Sequence, residues 1–149
     1  VGFGVWESYN PPKKSEKVKW VEFARAEAVA RESGRPILYD FSAEWCAPCE
    51  AMKAGVFSDP KHARAVEAAV VPVRVVDRQR EEGHNLAYVD SLQRAYAVDG
   101  FPTLVVYSPK TGRSQMSTGY GGPEQTLRWI AQNAYAVQSG VAPDGTPVR

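Results

Sequence analysis

Two cysteines, Cys46 and Cys49, stand two residues apart in "DFSAEWCAPCEAM", residues 40–52, and they are the only two in the chain. Thiols so spaced can trade electrons as dithiol and disulfide, supply half of a metal site, or pack in a core. The thiolate is the reactive form, and a free cysteine with a pKa of about 8.5 is mostly protonated at neutral pH. A helix opening near Cys46 changes that balance, because its unpaired N–H groups and its dipole favour an anion there. Cys49 then lies further into the helix, near the first sulfur but away from solvent. The expected division of labour is an exposed attacker, Cys46, and a sheltered resolver, Cys49, which displaces the mixed disulfide that Cys46 forms.

That displacement requires Cys49 to lose a proton where water is scarce. Asp40 is the candidate base: it is the one polar residue in the run "PILYDF", and burial would raise its pKa toward the working pH. A loop-capping or solvated Asp40 is the alternative. Trp45, beside the nucleophile, offers its flat face to a protein substrate or packs with its indole N–H as a polar handle. Glu44 reads as a solvated loop charge. Zinc wants four ligands, and His62 and His84 are not spaced as a ligand pair, so no metal and no cofactor are expected. Dinucleotide, P-loop, metalloprotease and serine-hydrolase motifs are absent.

The elements that must hold these groups follow from periodicity and breakers. A helix is predicted over 19–33, with Val21, Ala24, Ala28 and Val29 on one face and Gly34 as its stop, followed by a buried strand over 36–41. The cysteine helix opens near Cys46, carries Pro48 in its first turn, where no N–H is needed, and closes near Gly55. Asp59 caps and Pro60 opens the next helix. Then come a strand over 70–76, a helix with Leu86, Val89, Leu92 and Tyr96 on one stripe, and a strand over 103–107. A turn leads to a partner strand in "SQMSTG", and Pro123 opens a last helix with Leu127, Ile130 and Ala134 inward. This alternation predicts an α/β fold: a central mixed, mostly parallel sheet with helices on both faces and a C-terminal β-hairpin plus helix. Reactive groups in such sheets lie beyond the carboxyl ends of strands, and strand 36–41 points at Cys46.

At 149 residues, with 44% hydrophobic and 23% charged residues, the chain suits one folded domain. Residues 1–18 read as an arm, 19–137 as the domain and 138–149 as a flexible tail. A formal charge of +1 provides no field for nucleic acid. No run of about 18 apolar residues occurs, so no membrane span is expected in these residues. The start at Val1 is read as that of a processed piece whose leader or anchor was removed.

"YDFSAEWCAPC" resembles the active-site segment of the thioredoxin family, matching at Asp40, Phe41, Ala43, Glu44, Trp45, Cys46, Pro48 and Cys49. "VDGFPTLVVY" resembles that family's Gly-x-Pro-Thr segment. The resemblance spans roughly 19–137 and implies a thioredoxin-like fold. It also implies a cis Pro102 facing the disulfide, Phe101 offering backbone groups to an extended substrate, and a substrate-facing set of Trp45, Pro48, Phe101 and Pro102. In thioredoxin a buried lysine on the next strand pairs with the buried aspartate. Here Val73 is expected near that place and Arg74 on the opposite face, so Asp40 either lacks a cation or gains Arg74 through a shifted register. "DRQREEGHN", residues 77–85, reads as an insertion relative to thioredoxin. "GVFSDPKHARAV" resembles thioredoxin-like domains of bacterial extracytoplasmic proteins, including the C-terminal domain of the membrane thiol-disulfide interchange reductase, which favours the periplasm over the cytoplasm.

The expected activity is thiol-disulfide exchange, in the direction of reducing protein disulfides, since Ala47-Pro48 resembles the family's reducing Gly-Pro version. The expected partners are protein disulfide or dithiol substrates and an upstream thiol electron donor, with the chain itself a monomer. A disulfide oxidase or isomerase, or an adaptor that keeps the fold with incidental redox activity, are the alternatives.

Overall fold

The computed structural model describes residues 15–149. Most of the expected N-terminal arm, residues 1–14, therefore lies outside the described residues. The element order is α1 (Phe23–Ser33), β1 (Ile37–Ala43), α2 (Ala47–Met52) running into a π-helical turn (Lys53–Phe57), α3 (Pro60–Ala69), β2 (Val71–Asp77), α4 (Gln79–Glu82), α5 (Ala87–Ala95), β3 (Thr103–Tyr107), β4 (Ser114–Thr118) and α6 (Pro123–Ser139). Asp59 caps α3 by accepting from the Lys61 and His62 amides, and Pro60 and Pro123 open their helices where a missing N–H is harmless.

The four strands lie in the order β2-β1-β3-β4. The sheet is mixed, but the expected majority of parallel pairs is corrected: β1 and β2 run parallel, whereas β1 with β3 and β3 with β4 run antiparallel. The reason is the path after β2. The segment 78–102 does not carry the chain back to the other end of the sheet, so β3 starts at the end where β1 and β2 finish. Residues just before β3 are thereby delivered to the carboxyl end of β1.

Both sheet faces are covered. Ile37, Tyr39, Phe41, Val71, Val73, Val75 and Val105 pack with Ala26 and Ala30 of α1 and Val89 of α5. Leu38, Leu104 and Val106 pack on the other face with Met52, Val56, Phe57, Val66, Ile130 and Val137. Three expected details change. Helix α1 begins at Phe23 because residues 15–22 instead line the edge of the sheet, where the Val21 amide donates to the Pro72 carbonyl and Lys17 and Val18 donate to that of Phe57. Its inward face is Ala26 and Ala30, while Ala24 and Ala28 are exposed; alanine at every second position from 24 to 30 satisfies i, i+4 spacing on two faces and marks neither. Gly55 does not end the cysteine helix: a Cβ there would stand 2.4 Å from the Tyr120 hydroxyl, so this glycine serves close packing.

Helix α6 extends to Ser139, and residues 140–149 turn back, with Val141 bridging Pro147. Among the described residues, no helix is long and apolar enough to cross a membrane.

Candidate active site

Cys46 is the N-cap of α2 and Cys49 lies in its first turn, so a short loop after β1 presents the pair at the carboxyl end of the sheet. The two form a disulfide, with Cα atoms 5.2 Å apart. The Cys49 amide donates to Cys46 Sγ at 3.1 Å, placing one of the helix's unpaired N–H groups on that sulfur. The expected contrast in exposure is absent: Cys46 is 3% and Cys49 6% exposed. Phe101 packs against Ala43, Cys46 and Cys49, and its ring meets Trp45 edge to face with centroids 6.0 Å apart. The Phe101–Pro102 bond is cis, and Pro102 is buried at the head of β3 while Pro48 is exposed.

Trp45 is exposed on its outer side. The segment 77–85 bears on it directly: the Arg80 guanidinium of α4 lies 4.0 Å from the centre of the Trp45 ring. Arg78 pairs with Glu44, which is therefore not merely a solvated charge. This segment is anchored by Asp77, whose carboxylate accepts from the Gln79 amide, Asn85 Nδ2 and Gln93 Nε2 at 3.0, 3.0 and 2.8 Å. Partial burial works against the charge, but these hydrogen bonds hold its pKa below the ordinary value.

Asp40 is 2% exposed. Parallel pairing sets Asp40 opposite Arg74 and Tyr39 opposite Val73. Paired residues share a face, so the expectation that Arg74 points away is corrected: a one-residue difference in register exchanges the faces of Val73 and Arg74. Arg74 Nη2 and Nε reach Asp40 Oδ2 at 3.2 and 3.3 Å, and Arg74 Nη1 reaches Glu16 Oε2 at 2.6 Å. The guanidinium also lies over Trp20, 4.1 Å from the ring centre. Burial pushes the Asp40 pKa up to about 6. The charge and hydrogen bonds of Arg74 hold it from rising further, Glu16 adds to the rise, and Lys53 opposes it. Asp40 and Cys49 line one cleft of about 90 Å³, together with Ser42, Glu50, Lys53, Arg74 and Val76.

The fold thus gathers Asp40, Cys46, Cys49, Trp45 and Phe101 around the carboxyl end of β1. Sequence reasoning did not find Glu16, Arg78 or Arg80. Arg74 was detectable only as an out-of-register cation, and Glu16 lies in a polar stretch without periodicity.

A family model described as a thioredoxin-like domain matches residues 23–134. The chain is 25% identical over 137 residues to the thiol:disulfide interchange protein DsbD of Actinobacillus pleuropneumoniae serotype 5b, covering 86% of this chain and 22% of that protein. It thus spans about a fifth of that relative's length. Among solved structures, DsbH oxidoreductase superposes with a TM-score of 0.67 at 19% identity, over 87% of this chain and 90% of the other. The oxidised C-terminal domain of Neisseria meningitidis DsbD superposes with a TM-score of 0.60 at 22% identity, over 74% and 90%.

Proposed function

Because this chain belongs to the thioredoxin-like domain family and carries its paired cysteines as a thiol-disulfide oxidoreductase, we propose that it works as a reductase of protein disulfides. The observation that carries the reading is the Cys46–Cys49 disulfide at the opening of α2, with Cys49 and the buried Asp40 on one cleft.

In the reduced protein, the Cys46 thiolate attacks one sulfur of a substrate disulfide, forming a mixed disulfide and expelling the other sulfur as a thiolate, which takes a proton from water. Asp40 accepts the proton of Cys49, and the cleft is large and polar enough for water to relay it. The Cys49 thiolate then attacks Cys46 Sγ, the second substrate sulfur leaves as a thiolate, and the Cys46–Cys49 disulfide forms. Two electrons have passed to the substrate, and an upstream dithiol protein returns the pair to its reduced form. Trp45 and Phe101, with Pro48 and Pro102 beside them, form the surface that meets the substrate chain.

The direction of electron flow rests on the resemblance of Ala47-Pro48 to the reducing version of the motif. A bacterial extracytoplasmic location rests on the resemblance of "GVFSDPKHARAV" to thioredoxin-like domains of bacterial extracytoplasmic proteins. We take the working unit to be a monomer.

Equilibration in glutathione or dithiothreitol buffers measures the reduction potential. A value near about −270 mV is expected, and one near about −120 mV would reverse the proposed direction. Cys46→Ser is expected to abolish insulin reduction, while Cys49→Ser accumulates the mixed disulfide. Turnover by Cys46→Ser would overturn the assigned roles.

A further inference from the structure

Beside Asp40 one arginine answers two acids. Arg74 serves two carboxylates at once, Asp40 through Nη2 and Nε and Glu16 through Nη1. The other oxygens, Asp40 Oδ1 and Glu16 Oε1, are buried and accept no hydrogen bond from the described residues. Lys53, the other cation near Asp40, is paired with Glu50 at 3.2 Å. On the β3 side Asp40 faces the apolar Leu104; Glu44, which also lines the cleft, pairs with Arg78, and in the reduced protein Cys49 is a further titratable group there. Two carboxylates sharing one guanidinium cannot both be fully neutralised, and the more deeply buried acid, Asp40, is the one that gains by holding a proton.

Glu16 comes from the stretch before α1, outside the residues 23–134 that carry the family match. Its place is built. Backbone bonds from Lys17 and Val18 to Phe57 hold this stretch against the π-helical turn, and one from Val21 to Pro72 holds it against β2, an edge strand. Trp20 packs between Phe57 and the Arg74 guanidinium, with ring centres 4.9 Å apart on the first side and 4.1 Å to the cation on the second.

We propose that Glu16 is a positioning residue for proton transfer at the cysteine pair: it fixes Arg74 beside Asp40 while drawing off part of the arginine's charge, which leaves Asp40 able to take the Cys49 proton. The proposal rests on the reading of Asp40 as that proton acceptor. The step balances within the chain: the Cys49 S–H bond breaks, its proton passes to an Asp40 oxygen, and the electron pair left on sulfur forms the bond to Cys46 Sγ.

The test uses the full chain with ¹³C-labelled aspartate, titrated by NMR in the disulfide form so that Cys49 does not contribute, with Asp40→Asn identifying the Asp40 signal. Removing the Glu16 charge makes ionised Asp40 less costly, so in Glu16→Gln its midpoint is expected to fall by about one pH unit, a tenfold change in proton affinity. Glu16→Asp, which keeps the charge, should restore most of the difference, and Glu16→Ala gives the same readout if the glutamine variant fails to fold. An Asp40 midpoint that stays or rises overturns the proposal. The pH profile of insulin reduction separates the two layers. If Asp40→Asn removes the inflection near pH 6 but Glu16→Gln does not lower it, the role of Glu16 falls alone. If Asp40→Asn leaves the profile intact, the proton-acceptor reading falls and takes this proposal with it.

Discussion

Strands β1 and β2 present opposite characters on their two faces. On one, Ile37, Tyr39, Phe41, Val71, Val73 and Val75 form an apolar layer under α1 and α5. On the other, Leu38 packs with Val56, Phe57 and Ile130, and Asp40 pairs with Arg74. The first face gains from every side chain it buries, at about 25 cal/mol per Å² of apolar area. The second accepts a desolvated carboxyl and therefore gives up stability above the pH at which that carboxyl ionises. The difference separates a face that is apolar throughout from one that gives up stability to hold a desolvated carboxyl on the cleft that Cys49 also lines.

The largest effect expected from breaking this contrast is on the apolar face. Phe41→Ala should cost about 3–5 kcal/mol in denaturant unfolding through the cavity it opens, while the activity inflection near pH 6 stays in place for the folded fraction. If that inflection moved, the two faces would not be separable.

Asp40→Asn should act with the opposite sign. Folding raises the Asp40 pKa from 3.8 to about 6, so the folded state binds the proton more tightly than the unfolded one. Stability is then undiminished below about pH 4, falls as pH rises toward 6, and stays reduced above it. The variant should therefore be more stable than the parent by about 2–3 kcal/mol at pH 8, with no gain near pH 4. Its disulfide exchange at pH 7 should drop by about 100-fold or more. Unfolding curves at the two pH values, set beside insulin turnover, check both parts.

Arg74→Met removes the cation that favours ionised Asp40, so the inflection should move upward by about one to two units. A downward move would mean that Arg74 does not govern Asp40. The smallest change is expected at the rim. Arg80→Ala removes the cation over Trp45, a contact of about 0.5–1 kcal/mol, and should alter kcat/KM for a protein disulfide no more than about fivefold while leaving the pH profile unmoved.

Much of the site was legible because its signals are local. Cys46 and Cys49 lie within one helix opening, Pro48 fits a first turn, and Asp59-Pro60 marks the next start, all set by hydrogen bonding within a few residues. The exposure of Cys46 was misjudged, since the ring that covers it belongs to Phe101, more than 50 positions away along the chain. The α1 face was misread because alternating alanines define no stripe. The majority-parallel sheet was misjudged because a β-α-β order tells only that a helix intervenes, and not at which end the next strand begins.

By itself the sequence determined the reactive pair, the helix that opens on it, the unusual carboxyl in an apolar strand and, by resemblance, the cis bond before Pro102. Tertiary structure alone decided which cation meets that carboxyl. Side-chain direction in a strand reverses with each residue, so only the pairing of Asp40 with Arg74 could turn the arginine inward. It also decided that Glu16 shares the arginine, because a contact 58 positions apart is created by the edge of β2 and has no counterpart in local pattern.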